Sequence, residues 1–293
     1  MPEMTPLVQE GAEMDEMICV LGLGLMGRPI ARSLLDGGYR VMGWNRSALP
    51  KEAVEGIPLA RTMKEAASAT VCLLSLADSD AVDAVLGQLE LHLRPGRLVI
   101  DMGTSDPSRS HTHAARLTAK GIGWVDAPVS GGPEGAAKSS LAIMAGGSEP
   151  DFVRAKPVLE KLGRVVHVGG PGSGHTMKIV NQLIVGLTIE AVAEALTLAE
   201  RVGLDPHLAQ RALSGGFADS KILQVHGNRM IARAYAPGGK ARTQLKDLLL
   251  ARTLAQQASL RLPHLESAIG LYQTLVGRGD GDLDHSALHK LLQ

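Results

Sequence analysis

The first half of the chain alternates short apolar runs with longer stretches of helical periodicity, and the second half carries helical periodicity alone. Met17–Leu21 (MICVL) predicts a buried strand, and residues 25–36 predict a helix that Gly37 and Gly38 stop. Residues 39–44 read as the next strand, followed by strands at 70–76, 97–101 and 122–126. The intervening stretches 79–92 and 107–120 read as helices, and two more strands, 141–145 and 165–168, flank a helix opened by Pro150. Strands spaced by helices imply parallel pairing in a doubly wound sheet. Beyond Pro171 no strand signal remains. The rest reads as helices broken at Gly203, Gly215-Gly216, Pro237-Gly238-Gly239, Pro263 and residues 277–281.

The turn after the first strand is Gly22-Leu23-Gly24-Leu25-Met26-Gly27, and it opens a helix. That context is what a dinucleotide fingerprint requires. The first glycine allows the tight turn, the second lets backbone approach a pyrophosphate, and the third lets helix and strand pack closely. The pyrophosphate would sit on free N–H groups at the helix N-terminus. The second strand ends in Trp44-Asn45-Arg46-Ser47, without the acidic residue that usually binds a ribose 2′-hydroxyl. Asn45 can bind the ribose without repelling a phosphate, and Ser47 adds a hydroxyl. Arg46 offers a fork for a 2′-phosphate, or is a solvated surface arginine. NADP is therefore expected over NAD.

Two later loops fall at predicted strand ends. In Asp101-Met102-Gly103-Thr104-Ser105-Asp106-Pro107, Thr104 and Ser105 lie at the carboxyl edge of the sheet, where ligands of such sheets bind; Asp106 before Pro107 is also a helix cap. In 126–136 (DAPVSGGPEGA), Ser130 supplies a hydroxyl, and the amides of Gly131 and Gly132 could form a concavity suited to a carboxylate, or the glycines simply make a turn.

Lys178 stands near the start of a long apolar helical stretch, in 172–182 (GSGHTMKIVNQ), and no charge follows it from Ile179 to Ile189. A lysine there either snorkels from the first turn into solvent or is buried with a task. A buried ammonium shifts toward neutrality, which suits proton transfer. Asn181 and Gln182, three and four residues on, share its helical face.

Composition narrows the field. Equal numbers of basic and acidic residues, 30 each, leave no electrostatic footprint for nucleic acid or an anionic membrane, and 2% aromatics give no stacking platforms. Cys19 and Cys72 sit in apolar runs and read as buried thiols. Residues 1–16 are acidic and carry no Lys or Arg, unlike a signal or transit peptide, and no apolar run spans a membrane without polar interruption; a cytoplasmic protein is expected. His285 and His289 have helical i, i+4 spacing but no evident third ligand, and His111 and His113 would not converge on a helix, so no metal is expected.

The ordered motifs GLGLMG, WNRS, DMGTSDP, DAPVSGGPEGA, GSGHTMKIVNQ and LKDLLLA make the chain resemble the β-hydroxyacid dehydrogenase family from Met17 to its end. The resemblance implies a Rossmann-type dinucleotide-binding domain over 17–171, an interdomain helix over 172–202 and an all-α substrate and oligomerisation domain over 203–293. It implies hydride transfer between NAD(P) and a short 3-hydroxyacid or semialdehyde, in a homodimer or homotetramer. On that resemblance Lys178 is the catalytic lysine, with Asn181 and Gln182 beside it. Ser130, Gly131 and Gly132 form the substrate loop. Leu76, Ala77, Thr104 and Lys246 join the glycine turn, Asn45, Arg46 and Ser47 around the cofactor. Three positions depart from the family pattern: Gly103 where serine is common, Ala77 where proline is common, and Gln182 where many members have a second asparagine. Imine reductases share the glycine turn but usually replace the lysine, and silent binding proteins on this fold lose it, so Lys178 argues against both.

Overall fold

The computed structural model describes residues 16–293, so the acidic stretch lies, except for Glu16, outside the described residues. The chain divides into two compact units between Thr176 and Met177.

Among the described residues the first unit holds one sheet of eight strands: β1 Met17–Leu21, β2 Arg40–Trp44, β3 Val71–Leu74, β4 Leu98–Asp101, β5 Gly123–Asp126, β6 Val129–Ser130, β7 Leu141–Gly147 and β8 Gly163–Gly169. Their order is β2-β1-β3-β4-β5-β7-β6, with β8 beside β7. Strands β1 to β5 pair in parallel. The expected parallel sheet is found through β5, and β7 is the exception, running antiparallel to β5 and β6 and parallel to β8. The cause is the short connection: β6 follows β5 directly, and residues 131–140 reverse the chain without the full crossover that parallel pairing needs.

Among the described residues this unit also holds helices α1 Gly27–Asp36, α2 Met63–Ala66, α3 Ser79–Leu89, α4 Pro107–Thr118, α5 Gly132–Ala137 and α6 Glu149–Glu160. Caps set several starts. Asp78 accepts from Ala81 N, Asp106 from Ser108 N with Pro107 at the first position, and Ser148 from Asp151 N. Successive residues of β1 face opposite sides of the sheet. Ile18 and Val20 join one buried cluster with Ile30 and Leu34 of α1 and Val158 of α6. Cys19 and Leu21 join a second with Val82 and Leu86 of α3 and Leu117 of α4. Burial raises the thiol of Cys19 well above the ordinary thiol range and that of Cys72 to about 12, which makes both inert in place.

The second unit is helical: α7 Ser173–Arg201, within which the division falls, then α8 Pro206–Leu213, α9 Lys221–Ile231, α10 Ala241–Gln257 and α11 Pro263–Gly277. Among the described residues no strand follows β8; one isolated bridge links Lys240 and Asp284. Helix α7 is long and apolar enough to cross a membrane by length and composition alone. It instead supplies Ile189, Val192, Ala193 and Leu196 to a buried cluster with Leu248 of α10 and Ile269 and Tyr272 of α11, as a core helix does. The segment His285–Leu292 is a 3-10 helix, so His285 and His289 do not share the α-helical face that their spacing suggested.

Candidate active site

In the first unit, the turn between β1 and α1 has the geometry its glycines imply. Gly22 sits at φ +99°, and a Cβ there would meet Ser75 O at 2.3 Å. A Cβ on Gly27 would lie 1.8 Å from Gly22 O, so only glycine lets the helix start this close to the strand. Around Gly24, by contrast, nothing lies within 4 Å of the Cβ position. Gly24 and Leu25 are exposed, Met26 is half-buried, and no side chain caps the start of α1. This leaves an open, donor-rich helix end that fits a pyrophosphate.

Asn45 ties the end of β2 to that turn. Its Oδ1 accepts from Leu23 N at 3.0 Å and its Nδ2 donates to Ser47 O at 2.8 Å. Part of its hydrogen-bonding capacity is thus spent on shaping the site. Leu23 itself is fully buried and serves as core, whereas Arg46 and Ser47 are exposed. Asn45 and Ser47 line a cleft floored by Gly43 and walled by Leu49 and Leu59. Leu76 is half-buried and Ala77 exposed in the loop after β3.

Two buried aspartates order the later strand ends. Asp101 accepts from Gly103 N at 2.9 Å and from Ser105 Oγ at 3.1 Å, which leaves Thr104 half-buried on the loop. A Cβ on Gly103 would lie 3.0 Å from Leu76 O, so serine there would need the loop to give way. Asp126 accepts from Gly172 N at 2.8 Å and from His175 N at 2.9 Å, holding the first turn of α7. Burial raises its carboxyl above the usual range, against the pull of His175 and those amides. Ser130 ends β6. Gly131 and Gly132 follow at φ +136° and +66°, backbone that favours glycine, and all three are half-buried where α5 begins.

In the second unit Lys178 is 8% exposed, which decides against snorkelling. Its Nζ donates to Gln182 Oε1 at 2.7 Å. Asn181 Nδ2 donates to the same oxygen at 2.9 Å. Gln182 Nε2 donates to Gln244 Oε1 at 3.0 Å and to Asp247 Oδ2 at 2.8 Å, both on α10. Lys246 Nζ lies 2.9 Å from Asp247 Oδ1. Burial lowers Lys178 to about 8, with Asp247 opposing and Lys246 assisting. A lysine poised there holds or releases a proton near neutrality.

Residues 17–170 match the model described as the NAD binding domain of 6-phosphogluconate dehydrogenase. Residues 172–292 match the NAD-binding model of NADP-dependent 3-hydroxyisobutyrate dehydrogenase. The chain is 39% identical over 282 residues to the 2-hydroxy-3-oxopropionate reductase of Escherichia coli, covering 93% of this chain and 96% of that protein. It belongs to the β-hydroxyacid dehydrogenase family. Solved structures agree. A 3-hydroxyisobutyrate dehydrogenase from Salmonella typhimurium superposes with a TM-score of 0.86 at 30% identity, over 94% of this chain and all of that one. One from Mycobacterium tuberculosis, solved with L-serine, gives 0.83 at 30% identity over 96% of this chain and all of that one. The chain is thus an NAD(P)-dependent oxidoreductase of a family that acts on CH–OH groups.

Placed in this β-hydroxyacid dehydrogenase, the residues read from sequence fall into local groups. The glycine turn, Asn45 and Ser47 form one, and Lys178, Asn181, Gln182 and Lys246 stand around Asp247 in another. Sequence reasoning did not single out Gln244, a buried polar residue on α10 whose spacing from Asp247 was the available signal. It also missed that His226 and Asp284 join His285, because the three are brought together from α9 and the C-terminal turns. Their possible ligand atoms lie within 4.8 Å of one another. Asp284, however, is filled by Arg229, by the amides of Gly238, Gly239 and Ser286 and by the Ser286 hydroxyl, so the group is a hydrogen-bonded cluster. His289 turns to Tyr235 instead, 3.0 Å from its hydroxyl.

Proposed function

We propose that this enzyme reduces a short semialdehyde to the 3-hydroxyacid, reversibly, with NADP preferred over NAD and Lys178 as the proton-transfer group. The observation that carries the reading is the buried Lys178 ammonium on Gln182 Oε1, lowered to about 8 by burial. The turn Gly22 to Gly27, with Asn45, Arg46, Ser47, Leu76, Ala77, Thr104 and Lys246, would hold the dinucleotide, whose nicotinamide supplies the hydride in reduction and takes it in oxidation. Ser130, Gly131 and Gly132 take the substrate carboxylate through a hydroxyl and backbone amides. Lys178 gives its proton to the carbonyl oxygen as negative charge develops there, and takes it back in oxidation. Asn181 and Gln182 fix the lysine's direction.

The NADP preference rests on Arg46, exposed where a 2′-phosphate would meet it, and on the lack of a carboxylate at Asn45. The relative from Escherichia coli makes 2-hydroxy-3-oxopropionate the first substrate to try. We place the enzyme in the cytoplasm as a homodimer or homotetramer. Exposed Val180, Ile184 and Leu198 on α7, and a fully exposed Phe217, are apolar surface that a second copy would cover. An imine reductase remains the competing reading, and Lys178 opposes it. The test is a panel of 2-hydroxy-3-oxopropionate, succinic semialdehyde, methylmalonate semialdehyde and glyoxylate with NADPH and with NADH. Turnover of a cyclic imine and of no aldehyde would overturn the reading.

A further inference from the structure

Arg28 stands in the first turn of α1, which carries no acidic residue although a helix start favours negative charge. A cation there opposes the helix dipole, so the stability of α1 does not account for it. The side chain leans back toward the helix start, as helical side chains do, and its Nε donates to Gly24 O at 3.2 Å. The backbone amide of Arg28 donates to the same carbonyl at 3.3 Å, which is long for such a bond. No side chain caps α1, and nothing lies within 4 Å of the Gly24 Cβ position, so Nε is the second hold on that carbonyl. In a trans peptide the carbonyl and the following N–H point opposite ways. Holding Gly24 O toward Arg28 therefore turns the Leu25 amide out of the helix end. Asn45 Oδ1 takes the amide of Leu23 just before it, so the turn is braced from two sides.

The rest of the guanidinium is uncommitted. Among the described residues no carboxylate pairs with Arg28, whereas Arg32, one turn further along α1, faces Ala53 O at 3.5 Å. A planar guanidinium held by Nε presents its terminal nitrogens as a fork. We infer that Arg28 is a cofactor-binding residue, anchored by Nε on Gly24 O so that its terminal nitrogens take the pyrophosphate oxygens at the glycine turn. Bound phosphate turns the unfavourable cation of the first turn into one half of a charge-assisted pair. The role is distinct from that of Arg46. A 2′-phosphate belongs to NADP alone, but the pyrophosphate is common to both dinucleotides, so Arg28 serves NADPH and NADH alike.

The inference rests on the glycine turn as the dinucleotide site, and binding measured without substrate separates the two ideas. Full-length protein is titrated by fluorescence with NADPH and with NADH, as wild type, Arg28→Met and Arg28→Lys. In Arg28→Met, Kd for both nucleotides is expected to rise roughly tenfold and by the same factor. Its dependence on salt should flatten, because a screened charge pair has gone. Arg28→Lys keeps the charge and loses the Nε anchor, so its Kd should stay roughly threefold above wild type. The Tm of the unliganded variants should not fall, since the cation opposed the helix dipole. Wild-type affinity in either variant, or a loss confined to NADPH, would overturn the inference. A lowered Tm with an unchanged salt dependence would reduce Arg28 to a structural residue and overturn it too. Wild-type protein that binds neither nucleotide would instead sink the dinucleotide site itself, and the inference with it.

Discussion

Lys178 Nζ and Gln182 Oε1 stand 2.7 Å apart, one turn along α7, with the lysine buried and lowered to about 8. The sign of the pH dependence follows. Reduction uses the charged lysine, so reductive kcat should fall as pH rises through about 8. Oxidation uses the neutral lysine, so its kcat should rise over the same range. Steady-state rates in both directions between about pH 7 and about pH 9 check this, and parallel profiles would contradict it.

Two glycines in one turn should fail differently. A methyl on Gly27 would press 1.8 Å from Gly22 O, so Gly27→Ala should lower stability by about 1–3 kcal/mol, seen as a drop in Tm. A methyl on Gly24 meets nothing within 4 Å, so Gly24→Ala should keep its Tm. It should still weaken NADPH binding by roughly tenfold or more, because the methyl occupies the approach of the pyrophosphate. Calorimetry and fluorescence titration separate the two.

Arg46 is exposed and has no shaping role like that of Asn45. Arg46→Ala should therefore raise KM for NADPH by roughly tenfold while leaving NADH nearly unchanged. A wild-type preference for NADH would end the argument from Arg46 outright.

What was legible in the sequence follows from how local each signal is. The strand, glycine turn and helix of residues 17–36 are set by neighbours in the chain, and the structure places β1 and α1 there. Asp106 before Pro107 likewise caps α4 as read. The antiparallel turn of β7 was not legible, because it depends on how residues 131–140 fold back. Burial of Lys178 stayed open in the sequence, since an apolar helix face does not say what covers it. Gln244 lies 62 positions from Gln182 and His226 lies 59 from His285, so neither carries a local pattern.

The central claim is that Lys178 moves the proton, and one comparison tests it most directly. The kcat of Lys178→Ala with NADPH and the best substrate of the panel is set beside its affinity for NADPH, measured by fluorescence. The account predicts a loss of about a hundredfold or more in kcat with cofactor binding preserved. Near-normal turnover in that variant would contradict it.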